Sequence, residues 1–396
     1  MLFKSACSPY LFPTEWFSEI LQTFRHRLEH HTPIPLDLID KNQVSISGKL
    51  HSARHNTGLA QLLPKHAVSI HRYLEQLPLN RRYQRFGIMI DGPHQHHPLI
   101  WTTIRNILDL IYDYVPMSDQ YIHSDAFIGN YKQTAFGIHR DQLHNFMFMA
   151  HGSRTMRLWK NQPENNAPDL NQEFVFKVEP GDLLYWPDHF WHIGENEEDY
   201  SISINIDYMT SESNSWAANT LSTAIKKVST PLSMTLINHK QRQIYAKPPN
   251  PESKMPNEFE TKTLLAMARK VIDGVDDTFL AIELQKAWFK RISAWGFSKK
   301  CPARATQPLN ETDHVQADVR FPIMTQTHGH NRIIACNGHV WVKDNHPIWR
   351  LFVETLNSGT PISVKTFAEA AGYQQYRQEL LNMLQNIWAH MGLERA

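Results

Sequence analysis

The chain has 396 residues, of which 41% are hydrophobic and 20% charged, as in ordinary globular proteins of two or three domains. Forty basic residues against 39 acidic ones leave a formal charge of +1. That balance excludes the strong positive field with which a general nucleic-acid binder or membrane-surface protein gathers its partner.

The three cysteines, Cys7, Cys301 and Cys336, lie far apart and form no CxxC pair. Neither a disulfide framework nor a thiolate zinc site is expected. The N-terminal "MLFKSACSPYLFPTEWF" lacks the apolar core of a signal peptide, and no apolar run approaches a membrane span. A cytoplasmic protein without membrane or nucleic-acid partners is the expectation.

The first predicted element is a helix from Glu15 to Arg27, where Phe17, Ile20, Leu21 and Phe24 recur at helical spacing. "RFGIMIDG" predicts a strand ending at Asp91-Gly92. A second helix is predicted from Leu99 to Tyr114, with Ile104, Leu108, Ile111 and Tyr112 on its apolar stripe. Between these last two, "HQHH" (His94 to His97) sits among Gly92, Pro93 and Pro98 and reads as loop histidines rather than a metal site. "NRRYQR" (Asn80 to Arg85) reads as a solvated basic surface.

From Tyr121 to Tyr208 the pattern changes to short apolar or alternating runs between turn signals. The predicted strands are "AFIGNY", "AFGIHRD", "NFMFMAHG", "TMRLWK", "EFVFKVEPGD", "LLYWP" and "SISINIDY". Such a series fits a jelly-roll or cupin barrel, a double-stranded β-helix. "YAKPPNPESKMPN" (Tyr245 to Asn257) reads as a linker. Helices follow, with Leu264, Met267 and Val271, then Leu284, Trp288 and Ile292, on apolar faces. In "RIIACNGHVWV", Asn337-Gly338 predicts a tight hairpin. A helix in "IWRLFVETLNSG", one capped by Ser363, and a last one carrying Leu380, Leu384, Ile387 and Met391 complete a winged-helix-like pattern. The expected fold is thus a mainly β core with α additions. Residues 1–120 form an N-terminal extension, 121–240 the barrel, 258–300 a helical segment suited to dimerisation, and 301–396 the winged-helix-like domain.

The chemistry centres on "GIHRDQLHNF" (Gly137 to Phe146). On a strand, residues two apart face the same side, so His139 and Asp141 project together. With one distant histidine they make the facial triad of non-haem Fe(II) oxygenases, which leaves three coordination positions open. The third ligand is His192, in "EPGDLLYWPDHFWHIGEN", or its competitor His189, which reads better as a solvated loop residue. In "SISINIDY", Ser201, Ser203 and Asn205 share one face, either inward in a barrel or outward on an edge strand.

"GIHRDQLHNFMFMAHGSRTMRLW", "PGDLLYWPDHFWHIGEN" and "SISINIDY" together resemble the JmjC-type branch of the cupin superfamily. The closest patterns are those of the asparaginyl hydroxylase that acts on hypoxia factor and of the ribosomal-protein oxygenases. The resemblance implies His139, Asp141 and His192 as iron ligands. It implies Arg154, fifteen residues past His139, as the partner of the distal carboxylate of 2-oxoglutarate. Asn145 and Asn205 would also contact that co-substrate. The cofactors implied are Fe(II), 2-oxoglutarate and molecular oxygen. The activity implied is hydroxylation of a protein or peptide side chain, with succinate and CO2 as co-products. Two departures stand out. Arg140 occupies a position where relatives often carry an aromatic, and the hydroxyl donor beside Arg154 is undetermined, with Tyr131 and Thr134 available. Arg140, Gln142 and Arg157 are expected to face away from the site. The rival readings are an oxygenase of a small metabolite, a non-catalytic cupin and winged-helix regulator, and a Zn or Mn cupin. Residues 301–396 carry as many basic as acidic side chains, which disfavours DNA binding.

Overall fold

A computed structural model describes residues 1–30, 36–40, 45–47, 60–79, 86–209, 220–223 and 277–395, with a few isolated positions. Within these spans, 67, 119–120, 135–136, 164–172, 197–199, 305–306 and 370–373 are excepted. The basic stretch Asn80 to Arg85, the linker from Tyr245 and the helix of Leu264, Met267 and Val271 lie outside the described residues.

The chain opens with strand β1 (Leu2–Phe3) and helix α1 (Thr14–Glu29), whose buried face is Phe17, Ile20, Leu21, Phe24 and Leu28. Next come β2 (Leu36–Asp40), β3 (Ser45–Ser47), α2 (Ile70–Leu79), β4 (Phe86–Asp91) and α3 (Pro98–Tyr112). Pro98 starts α3 at a position where a missing N–H costs nothing, and His97 caps it by accepting from the Ile100 N–H. The histidines of "HQHH" are therefore structural but not solvated loop residues. His94 is fully buried, bonded to Ser124 and stacked on Phe297, and His97 also meets Glu19 at 3.0 Å.

Eight strands follow: β5 (His123–Gly129), β6 (His139–Arg140), β7 (His144–His151), β8 (Arg154–Trp159), β9 (Glu173–Val178), β10 (Leu183–Trp186), β11 (Trp191–Glu195) and β12 (Ser201–Tyr208). With β1 to β4 they form two antiparallel sheets. One has eight strands in the order β1-β10-β7-β12-β5-β4-β2-β3, and the other has four in the order β6-β11-β8-β9. The architecture is mainly β with helices added.

Alternation along β12 divides its environment. Ile202, Ile204 and Ile206 are fully buried in the core that joins the large sheet to α1 and α3. The opposite face turns toward the small sheet. There Met147, Met149, Met156, Leu158, Leu184 and Trp186 form a second apolar cluster.

The C-terminal part holds α4 (Asp277–Ser293), β13 (His314–Gln316), β14 (Met324–His328), β15 (Asn331–Cys336), β16 (His339–Asp344), α5 (Pro347–Leu356), β17 (Ile362–Ser363), α6 (Val364–Glu369), α7 (Arg377–Ala389) and β18 (Glu394–Arg395). Asn337 and Gly338 both take positive φ, at 47° and 80°, as a two-residue hairpin turn requires. The Asn337 side chain does more than turn the chain. Its Oδ1 accepts from buried Arg105 of α3 at 2.8 Å, and its Nδ2 donates to the His390 carbonyl. On α4 the apolar assignment fails for Trp288, which is 48% exposed, while Phe289 and Arg291 are buried instead. Met391 lies past the end of α7. Among the described residues no helix is long and apolar enough to cross a membrane.

Candidate active site

The decapeptide "GIHRDQLHNF" is not one strand. Chain pairing breaks after Arg140, so β6 joins the small sheet and β7 the large one. The crossover places His139 and Asp141 at the edge between the sheets, and Asn145 on the facing wall. Shared parity along an unbroken strand is thus not what brings the three together, yet all three line one cavity. Gly137, just before, has φ 65°, which suits glycine at this turn.

His192 comes from β11, which pairs with β6 so that His192 lies directly opposite His139. The two imidazole centroids are 4.2 Å apart. His139 Nε2 is 3.8 Å and His192 Nε2 3.5 Å from Asp141 Oδ2. One ligand atom from each residue lies within 4.8 Å of the others, a grouping able to hold a metal ion. Each ring is oriented through its other nitrogen. His139 Nδ1 meets the Gly137 carbonyl at 3.0 Å and His192 Nδ1 the Phe190 carbonyl at 3.4 Å. Those bonds put the proton on Nδ1 and leave the Nε2 lone pairs for a metal. Burial, together with the neighbouring His139, lowers the His192 pKa to about 4, so its ring is neutral and ready to coordinate. His189 is exposed beside Asp188 and takes no part.

Arg154 begins β8, after Gly152 at φ 67°, and only 3% of it is exposed. Its Nε donates to Asn196 Oδ1 at 3.2 Å, Nη1 to Ser203 Oγ at 2.9 Å, and Nη2 to Ser201 Oγ at 3.2 Å and to the Tyr131 hydroxyl. Three hydroxyls thus stand against the guanidinium, and β12 turns its serine face inward. Tyr131 reaches Arg154 by lying over two glycines. A Cβ on Gly87 would meet its ring at 3.0 Å, and one on Gly129 at 2.8 Å. Thr134 also lines the cavity.

The cavity has a volume of about 410 Å³, ordinary for a small-molecule site. Asn145, Asn205 and Arg154 all contribute to its wall with the His139 group. Among the described residues, Asn205 Oδ1 is buried without a hydrogen-bond partner. Gln142 is exposed, as expected, and Arg157 pairs with Glu173 and Glu195 at the far side of β8. Arg140 departs from expectation. It is exposed, but it lies over the Trp191 ring and lends part of itself to the cavity wall. Sequence reasoning missed Asn196, which sits in the polar run "GENEED" and reads as a turn residue. It also missed Asp125 and Asp207, two further wall residues.

Residues 99–215 match the sequence profile of the JmjC domain family. The chain carries a JmjC domain. No curated protein sequence matches the chain. Among solved structures, E. coli ycfD shares 12% identity over 100% of this chain and 94% of its own, with a TM-score of 0.48. YcfD, described as an E. coli ribosomal oxygenase in complex with cobalt and 2-oxoglutarate, shares 14% identity over 78% of each chain, with a TM-score of 0.40. The same protein with cobalt and succinic acid covers 93% of this chain and 89% of its own at 14% identity and a TM-score of 0.43.

Proposed function

We propose that this protein is an Fe(II)- and 2-oxoglutarate-dependent dioxygenase that hydroxylates a protein or peptide side chain and forms succinate and CO2. One observation carries the reading. Arg154 is a buried cation that no carboxylate neutralises among the described residues. Its partners are one amide and three hydroxyls. A buried charge without a counter-ion is costly, so the site demands an anionic ligand. A dicarboxylic 2-oxo acid fits that demand. One carboxylate meets the guanidinium, and the oxo-acid end reaches the metal group in the same cavity.

In this reading His139, Asp141 and His192 hold Fe(II), and Arg154, Asn145 and Asn205 hold the co-substrate. When bound, Fe(II) and 2-oxoglutarate together activate molecular oxygen for hydroxylation. The protein supplies orientation. The Gly137 and Phe190 carbonyls keep both imidazoles in the ligating tautomer, and four polar partners keep the guanidinium aimed inward. Met147, Met156 and Trp186 add apolar surface to the wall and limit water around the reacting centre.

The proposed organisation is an N-terminal extension at 1–120 and a double-stranded β-helix barrel at 121–240. A dimerising segment at 258–300 would follow, and a winged-helix-like domain at 301–396. The last two elements suit a macromolecular substrate better than a free metabolite. The test is succinate formation by purified protein with Fe(II), 2-oxoglutarate and ascorbate, lost in Asp141→Ala. Absence of 2-oxoglutarate binding to the Mn2+-loaded protein sinks the oxygenase reading.

A further inference from the structure

The cavity of the His139 group has two arginines in its wall, Arg154 and Arg140. Their surroundings are opposite. Arg154 is buried and held by four side chains. Arg140 is exposed, and among the described residues it makes no hydrogen bond and no ion pair. Its guanidinium lies over the Trp191 ring, 5.7 Å from the centroid.

The pairing of β6 with β11 produces this arrangement. Arg140 lies directly opposite Trp191, as His139 lies opposite His192. Because β6 ends at Arg140 and the chain then crosses to the large sheet, Arg140 stands at the rim of the cavity. β6 is also an edge strand of the small sheet, so no further strand of that sheet covers it. A cation over the face of an indole keeps its N–H edge free. Trp191 therefore holds the side chain in place without using its donors.

The rim is open on this side. The Asp141 side chain is 39% exposed, and Met89 and Leu143, which also line the cavity, are partly exposed. The other charged wall residues are engaged. Asp141 belongs to the metal group, Asp125 meets His123 at 3.5 Å, and Asp207 hydrogen-bonds Asp125. Arg140 is the wall charge left for an incoming molecule.

We propose that Arg140 selects the substrate by taking the carboxylate of an Asp or Glu in an acidic peptide. The inference rests on the peptide-oxygenase reading above. A planar guanidinium offers two parallel N–H bonds to a carboxylate, and it repels a basic flank. Arg140 adjoins both His139 and Asp141 in sequence, which keeps its guanidinium within about 10 Å of the metal group. An extended peptide advances about 3.3–3.6 Å per residue, so the acid lies within about three residues of the oxidised side chain.

The test is a synthetic randomised peptide library passed over the immobilised full chain loaded with Mn2+ and 2-oxoglutarate. That state binds peptide without turnover, and retained peptides are sequenced by mass spectrometry. The wild type is expected to enrich Asp and Glu about 3- to 5-fold, the range of an exposed ion pair, and high salt should abolish the enrichment. Arg140→Gln should remove it, and Arg140→Glu should turn it toward Lys and Arg. Circular dichroism checks that each variant is folded. The same library, incubated with Fe(II), 2-oxoglutarate and ascorbate, shows by the mass gain of one oxygen where the acid stands relative to the oxidised residue. No retained peptide, no acidic enrichment, or enrichment unchanged in Arg140→Glu overturns the proposal. Succinate formation without acidic preference sinks the proposal alone. Acidic peptides retained through Arg140 but never oxidised, with no succinate formed, support the Arg140 contact and sink the oxygenase reading instead.

Discussion

Arg154 is aimed by Asn196. The guanidinium Nε donates to Asn196 Oδ1 at 3.2 Å, and the same oxygen accepts from Ser201 at 2.8 Å. Asn196 Nδ2 donates to the Gly129 carbonyl at 3.1 Å, which ties the amide to β5. The amide therefore fixes the Nε edge of the guanidinium, and the second N–H of Nη1 is the one that no hydrogen bond among the described residues takes up. Asn196→Ala removes a hydrogen bond to a charged group, about 1.5–3 kcal/mol. The expected result is 2-oxoglutarate binding weakened about 10- to 100-fold in the Mn2+-loaded protein, measured calorimetrically. Turnover at saturating co-substrate should change far less.

Arg154 itself should show opposite effects on stability and on ligand response. Its charge is desolvated without a counter-ion, so burial lowers its pKa. Arg154→Met removes that burden and should leave the thermal midpoint of the ligand-free protein unchanged or higher. Metal with 2-oxoglutarate should raise the midpoint of the wild type and not that of the variant, since only a ligand that binds the folded state stabilises it. Differential scanning fluorimetry reads both arms. A variant still stabilised by 2-oxoglutarate would exclude Arg154 as its anchor.

Acid should destabilise the protein through buried neutral histidines. Burial is the main cause that lowers His96 and His339 to about 4 from 6.5. Between those values the unfolded chain binds more protons than the folded one. Their contribution is therefore fully present above pH 6.5 and is lost as pH falls toward 4. His339 lies against the His390 ring at 3.6 Å and meets the Cys301 carbonyl through Nε2 at 3.0 Å. His339→Gln keeps a donor for that carbonyl and removes one titrating ring. The urea midpoint of the variant should fall less steeply across this pH range than that of the wild type.

The join between the JmjC domain and the C-terminal hairpin should depend on one arginine. Arg105 is 4% exposed, bonds Asn337 Oδ1 and stacks over Phe321 at 3.5 Å. Arg105→Ala strands the Asn337 acceptor and opens a gap beside the ring, at a cost of about 2–4 kcal/mol. A lowered thermal midpoint with unchanged 2-oxoglutarate affinity is expected, because Arg105 contributes nothing to the cavity wall.

Where local pattern governs, the sequence was legible. The β12 face of Ser201, Ser203 and Asn205, the Asn337-Gly338 turn and the α3 stripe all follow from periodicity or from a turn's demand for positive φ. His139, Asp141 and His192 were found because three sparse ligand types recur in a family-like order, and the structure brings them together. The break after Arg140 was hidden, since alternation continues across it and only tertiary pairing assigns β6 and β7 to different sheets. Asn196 looked like a turn residue because its partners, Arg154 and Gly129, are 42 and 67 positions away. Asp125 and Asp207 were invisible for the same reason. Each looks like the polar half of an alternating strand until the register sets one carboxylate against the other. Trp288 failed in the other direction, because helical spacing alone does not say which face of α4 is covered.

The glycines under Tyr131 offer a test of that distance problem. Gly87 is remote in sequence from every ligand of the cavity, yet a Cβ there would meet Tyr131 Cδ1 at 3.0 Å and Cε1 at 3.3 Å. Gly87→Ala demands a shift of a few tenths of an ångström from the ring, not from backbone. That shift moves the hydroxyl that accepts from Arg154 Nη2. Gly87→Ala should therefore weaken 2-oxoglutarate binding several-fold while leaving Mn2+ affinity at the His139 group unchanged. Gly129→Ala goes further, because its Cβ would also strike the Phe86 carbonyl at 2.3 Å, and backbone cannot yield cheaply. It should lower the thermal midpoint as well. Restoration of co-substrate binding in Gly87→Ala by Tyr131→Phe would contradict the argument, since the hydroxyl and not the ring is the group that must stay in place.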